Sequence, residues 1–165
     1  MATGLKEKAL AFVNAVTSQD ADTVRALADP NYIQHNPYLP TGLEPFIGLF
    51  PALKQNGTQA EAVRAIEDGS FVAIHHVWTG AKPFGADQMV SFDILRFDDS
   101  GKIAEHWDAM TPLVPETASG RSQTDGPTTA TDLEKTEENK AAGRTMVEDI
   151  QMGKDPYRIT DHIRA

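Results

Sequence analysis

Met89-Val90-Ser91-Phe92-Asp93-Ile94-Leu95-Arg96-Phe97-Asp98-Asp99-Ser100-Gly101-Lys102-Ile103-Ala104-Glu105-His106-Trp107-Asp108-Ala109-Met110-Thr111 reads as one β-hairpin. Two runs rich in branched and aromatic residues flank a group of turn formers, so strands are expected over residues 89–97 and 103–111. A two-residue turn at Ser100-Gly101, or a four-residue loop around it, sets Asp99 or Asp98 opposite Lys102 or Ile103, and either choice puts Asp93 opposite Asp108. Facing residues share a side of a sheet. Ser91, Asp93, Leu95 and Phe97 are therefore expected with Ala104, His106, Asp108 and Met110, and Val90, Phe92, Ile94, Ile103 and Trp107 on the other side.

Like charges facing each other across a ladder are destabilising, so the Asp93–Asp108 pair requires compensation. Both are solvated, one is protonated, or a histidine bridges them, and His106 lies on the same face. In a partly desolvated pocket one carboxyl would be driven upward in pKa, leaving an acid beside a base. The other reading makes the Trp107 side the core and leaves Asp93, His106 and Asp108 in solvent.

Upstream, residues 62–67 and 71–79 have the period of two further strands, separated by Asp68-Gly69 and followed by the loop from Gly80 to Gly85. Before them the period is helical. Leu5, Ala9, Phe12, Val13 and Val16 predict a helix over 5–17, Val24, Leu27 and Ala28 a short one over 22–28 closed by Pro30, and a third covers 43–55, interrupted or kinked at Pro51 and ended by Gly57. Tyr32-Ile33-Gln34-His35-Asn36-Pro37 reads as an extended segment entering a loop. Helices followed by an antiparallel meander make an α+β domain.

The 165 residues suffice for one domain with a hydrophobic core, and a net charge of −9 without a basic run excludes phosphate tracking along nucleic acid and attraction to an anionic membrane. Without cysteine there is no disulfide framework, thiolate metal site or cysteine nucleophile. Residues 1–8 lack an apolar signal core and no run suits a membrane helix, so a cytoplasmic protein is expected. Asn56-Gly57-Thr58 matches a glycosylation acceptor, which only secretion would make relevant. Beyond Pro115 the chain turns rich in Ser, Thr, Gly and Asp. The division expected is a domain over 1–117, a linker over 118–137 and a helical tail over 138–165. Within the tail, Lys140, Met146, Val147 and Ile150 stand where Lys6, Phe12, Val13 and Val16 stand in the first helix, which either marks an internal repeat or reflects the likeness of any two amphipathic helices.

Three motifs in order, Tyr32 to Pro37, Arg96-Phe97-Asp98-Asp99-Ser100-Gly101-Lys102-Ile103 and Glu105-His106-Trp107-Asp108, resemble the signature of SnoaL-like proteins in the NTF2-like superfamily. The resemblance implies a curved antiparallel sheet wrapped around the N-terminal helices, with an apolar pocket on its concave side and a dimer contact on its convex side. The extra C-terminal helix looks like the start of a second SnoaL-like repeat. Asp93 and Asp108 fall where pocket-active members carry catalytic carboxylates, His106 matches the histidine of the Glu-His-Trp-Asp string, and His35 resembles a histidine at the pocket mouth.

The expected catalytic residues are thus Asp93, His106 and Asp108, with Tyr32, His35, Asn36 and His75 contacting substrate. His75 and His76 are adjacent, so one faces inward, and His75 is expected to do so. No cofactor is expected, and no metal site, since no ligand pair at helical spacing occurs. Two functions fit. One is a cofactor-independent enzyme of the aldol cyclase, isomerase or hydrolase type, using carboxylate and histidine acid–base chemistry on a small apolar or carbonyl-containing molecule. The other is a noncatalytic ligand-binding or dimerisation module. A homodimer through the face of Phe92, Ile94 and Trp107 is expected in either case.

Overall fold

A computed structural model describes residues 4–153 and 157, in two compact units, 1–128 and 129–165. In the first unit, helix α1 (Leu5–Ser18) buries Ala9, Phe12, Val13 and Val16 along one stripe and ends at Gln19, whose φ of 58° is left-handed. Asp20 then caps α2 (Ala21–Leu27), its Oδ1 accepting the Thr23 amide at 3.0 Å. The third expected helix is two: α3 (Leu43–Ile47) and α4 (Phe50–Asn56), with Pro51 in the first turn of α4, where its missing N–H costs nothing, and Gly57 at the C-cap with φ 62°.

The sheet has five strands, β1 (Ala28–Gln34), β2 (Gln59–Asp68), β3 (Phe71–Thr79), β4 (Gln88–Phe97) and β5 (Ile103–Pro112), in the order β1-β5-β4-β3-β2. The four-stranded meander is antiparallel as expected. The segment before Gln34 adds a fifth strand, parallel to β5 at the edge, with Gln34 beside His106. The helices cover one face, where Phe12, Tyr32, Phe46, Leu53, Val72, Ile74, Leu95, Phe97 and Ile103 form the core. A side chain at Gly80 would strike the Asn56 carbonyl, and its φ is 58°, so the end of α4 can lie against the end of β3 only with glycine there.

Asp93 does face Asp108. The loop, however, has three residues: Asp98 N–H donates to Lys102 O at 2.9 Å, Gly101 N–H donates to Asp98 O at 2.9 Å, and Gly101 has φ 74°. That shifts the register by one relative to an even loop. A bulge then restores it, because Phe97 pairs with Ile103 and Arg96 with Glu105, leaving Ala104 unpaired. Ile103 consequently points into the core, fully buried, and not to the Trp107 side as parity had placed it.

Part of the segment expected as linker makes contacts with the sheet domain. Gln123 bonds the chain after β5, its Oε1 accepting from Val114 N–H at 2.8 Å, and Arg64 on β2 donates to the carbonyls of Thr124 and Asp125 at 3.2 and 3.0 Å. The first unit therefore runs on to Thr128. In the second unit a 3-10 turn leads into α5 (Thr136–Met146), and a π turn over Val147–Gln151 follows. The remainder of the expected tail, residues 154–156 and 158–165, lies outside the described residues, as do residues 1–3. Among the described residues no helix is long and apolar enough to cross a membrane.

Candidate functional site

Alternation along β4 and β5 sends Ser91, Asp93, His106 and Asp108 toward the helices, the same side as the core. Between sheet and helices lies a small, partly open cavity walled by Phe12, Val16, Phe46, Trp78, Leu95 and other apolar groups, with Asp93, His106 and Asp108 as its charged or titratable lining. It opens into a wider outer chamber bordered by Asn36, Tyr38 and Lys82; Leu39, Leu53, Phe84, Asp108 and Met110 line both. Asp108 thus stands at the throat.

Asp93 is buried and accepts from three donors. Oδ1 faces His106 Nε2 at 3.0 Å; Oδ2 faces His76 Nδ1 at 3.0 Å and accepts the Ser91 hydroxyl, which itself accepts the Trp78 indole N–H at 2.8 Å. Burial alone would push this carboxyl upward, but the hydrogen bonds and charge of His106 and His76 outweigh it and hold Asp93 well below the ordinary carboxylate range. Neither of the facing aspartates is paired through a shared proton. Histidines compensate Asp93, and Asn36 compensates Asp108, donating from Nδ2 to Oδ1 and Oδ2 at 2.9 and 2.8 Å. The Asn36 amide is oriented by its own Oδ1, which accepts the Tyr38 N–H at 2.8 Å.

Gln34 Oε1 accepts the Asn36 N–H at 3.0 Å and faces His106 Nδ1 at 3.2 Å. Both ring nitrogens of His106 therefore face acceptors, an arrangement that the doubly protonated ring satisfies. Gln34 Nε2 donates to the Tyr32 hydroxyl at 3.1 Å. Tyr32 is fully buried, and its phenol is pushed above its ordinary range, first by burial and then by the charges of Asp93 and Asp108.

Four residues were expected to contact substrate, and of these Asn36 alone borders the outer chamber, where it holds Asp108. Tyr32 packs in the core against Phe46. His35 lies outside, stacked on Trp107 with ring centroids 4.8 Å apart and paired with Glu105 at 2.8 Å. His75 also faces outward: it stacks on Phe92 at 4.3 Å, and its Nδ1 lies 2.6 Å from Arg64 Nη1. His76 takes the inward position. Its partner across the ladder is Ser91, so pairing β3 with β4 would have put it on the Asp93 face; the long loop from Gly80 hid that register in the sequence.

Donor atoms of Asp93, His106 and Asp108 lie within 4.8 Å of one another, close enough to hold a metal ion. They are satisfied without one: Asp93 and His106 bind each other and Asp108 binds Asn36, so a cation would have to displace these contacts.

Among solved structures, IdmH from Streptomyces antibioticus is 21% identical over 66% of this chain and 92% of its own, with a TM-score of 0.53. A SnoaL-like polyketide cyclase from Agrobacterium tumefaciens is 16% identical over 67% and 93%, at 0.56. An NTF2-like protein of unknown function from Cytophaga hutchinsonii is 12% identical over 68% and 94%, also at 0.56. At such identities the likeness is one of fold. No curated protein matches. The SnoaL-like domain family matches residues 9–106, from α1 through the histidine that faces Asp93, and with more than half of its length matched the chain belongs to that family.

Proposed function

We propose that the protein is a cofactor-independent enzyme that moves protons on a small apolar, carbonyl-containing molecule, acting in the cytoplasm as a homodimer. One observation supports this most: a half-buried carboxylate, Asp108, stands at the throat of an apolar cavity across the ladder from a buried carboxylate–histidine pair. Asp93 has its oxygens committed to three donors, so Asp108 is the base. It takes a proton from carbon next to the carbonyl, the C–H electron pair moves to form an enolate, and His106 donates its proton to the developing oxyanion. The enol so formed serves an isomerisation, or an aldol closure if a second carbonyl lies in reach. The Agrobacterium relative's description as a polyketide cyclase accords with that second outcome.

The test needs no knowledge of the natural substrate. Deuterium incorporation next to the carbonyl is followed by NMR in D2O across a panel of cyclic ketones and diketones, for wild type and Asp108→Asn. The expected result is exchange with some panel members that falls by about 10²–10⁴-fold in the variant. Tight binding to panel members without exchange would instead mark a noncatalytic ligand-binding module.

A further inference from the structure

His76 is wholly buried, and its Nε2 has no hydrogen-bond partner. Such an orphan is destabilising, and a phenylalanine would fill the same space without it. What the imidazole supplies is Nδ1, 3.0 Å from Asp93 Oδ2. That oxygen also accepts the Ser91 hydroxyl, whose direction is fixed because Ser91 already accepts from Trp78. Asp93 thus keeps two donors on Oδ2 that are independent of His106 on Oδ1.

This matters when His106 is deprotonated. A buried carboxylate that loses its cationic partner is expected to take up a proton itself, unless other donors replace the solvent it lacks. We propose that His76 is a positioning residue acting through Asp93: its N–H holds Asp93 as the charged member, so that the working proton leaves and returns to His106 and never settles on the carboxyl. In each cycle an N–H bond of His106 breaks as the substrate O–H bond forms; on the return step the enol O–H gives its proton back to the ring as the carbonyl re-forms, and Asp108 gives up the proton it took to carbon. The inference rests on the Asp93–His106 pair of the proposed function.

Two variants separate this role from mere packing. His76→Phe keeps a ring and removes the donor; His76→Asn places an amide N–H where Nδ1 stands. Infrared difference spectra across about pH 5–8, a window where a normal carboxylate stays ionised, are expected to show a protonated carboxyl band in His76→Phe. The band should be absent from wild type and His76→Asn, and lost when Asp93→Asn is added. Deuterium exchange should fall about tenfold or more in His76→Phe, with KM unchanged, and recover in His76→Asn. Absence of the band in His76→Phe overturns the proposal. A band with exchange at the wild-type rate upholds the placement of the proton and removes Asp93–His106 as the catalytic pair. Should His76→Phe not fold, His76→Leu removes the same donor with a smaller apolar side chain, and no band there is equally fatal.

Discussion

The two facing aspartates are chemically alike and energetically different. Asp93 accepts three hydrogen bonds in a buried site, whereas Asp108 is half-buried and held by one amide. Asp93→Asn would remove the charge that two histidines face and set an N–H against groups that donate in the wild-type protein, and about 2–4 kcal/mol of stability should be lost. Asp108→Asn leaves an acceptor for Asn36 and relieves charge, so its stability should stay within about 0.5 kcal/mol of wild type while exchange is lost. Equal melting shifts for the two would show that the contacts around Asp93 do not bear on folding. Acid should expose the same asymmetry. Because Asp93 is depressed in the folded state, its contribution is complete above the ordinary carboxylate range and is lost as pH falls below it. The facing pair could be read from the hairpin alone. Its compensation could not, since His76 and Asn36 come from segments whose pairing with β4 and β5 depends on loops of no fixed geometry.

At the level of elements, the chain after β5 is tied to β2 through Arg64, which contacts His75 Nδ1 with one nitrogen and the Thr124 and Asp125 carbonyls with another. His75 must be neutral to accept from a guanidinium. Burial, the Arg64 charge and His76 all lower its pKa; Phe92 stacks on it from β4, and the Asp125 carboxylate is engaged with Arg121 at 2.8 Å. The folded value lies below the unfolded one, so this stabilisation is complete above about pH 6.5 and declines as pH falls through and below it. Trypsin or subtilisin should cut within residues 113–128 faster at about pH 5.5 than at 7.5, and Arg64→Ala should be cut fast at both. A pH-independent cleavage rate in wild type would remove the histidine from this role. Composition had marked this stretch as linker; nothing in Ser, Thr, Gly and Asp content reveals that a distant arginine collects its carbonyls.

For the whole first unit, both faces of the sheet carry large apolar side chains, but only one is covered by helices. On the other, Ile66, Phe71, Phe92 and Ile94 are 64, 41, 57 and 41% exposed, and Ile66, Phe71 and Ile94 border a shallow apolar groove with Trp107. The homodimer proposed through this face should persist at about micromolar concentration in sedimentation, and Phe92→Glu with Ile94→Glu should give a folded monomer. A wild-type monomer would end that reading. The first two helices, the four-stranded meander and the Asp93–Asp108 pairing were legible because periodicity and turn chemistry are local; the three-residue loop, the bulge and the parallel edge strand were not. Which face was the core was not, because two apolar faces look alike until helices choose one.

The bulge at Ala104 has a further consequence. Deleting a residue from a strand ordinarily inverts every side chain on one side of the cut, emptying the interior of the groups it needs. Here Ile103 and His106, three positions apart, both point inward because Ala104 takes no partner. Excising Ala104 should leave Ile103 against Phe97, Glu105 against Arg96 and Asp108 against Asp93, in a ladder now free of its irregularity. Excising Ala109, by contrast, should throw Met110 and all that follows to the opposite side. A deletion scan along β5, scored by soluble yield, is therefore expected to show one tolerated position, and that position is also where a protein engineer could shorten the strand without moving either aspartate to solvent.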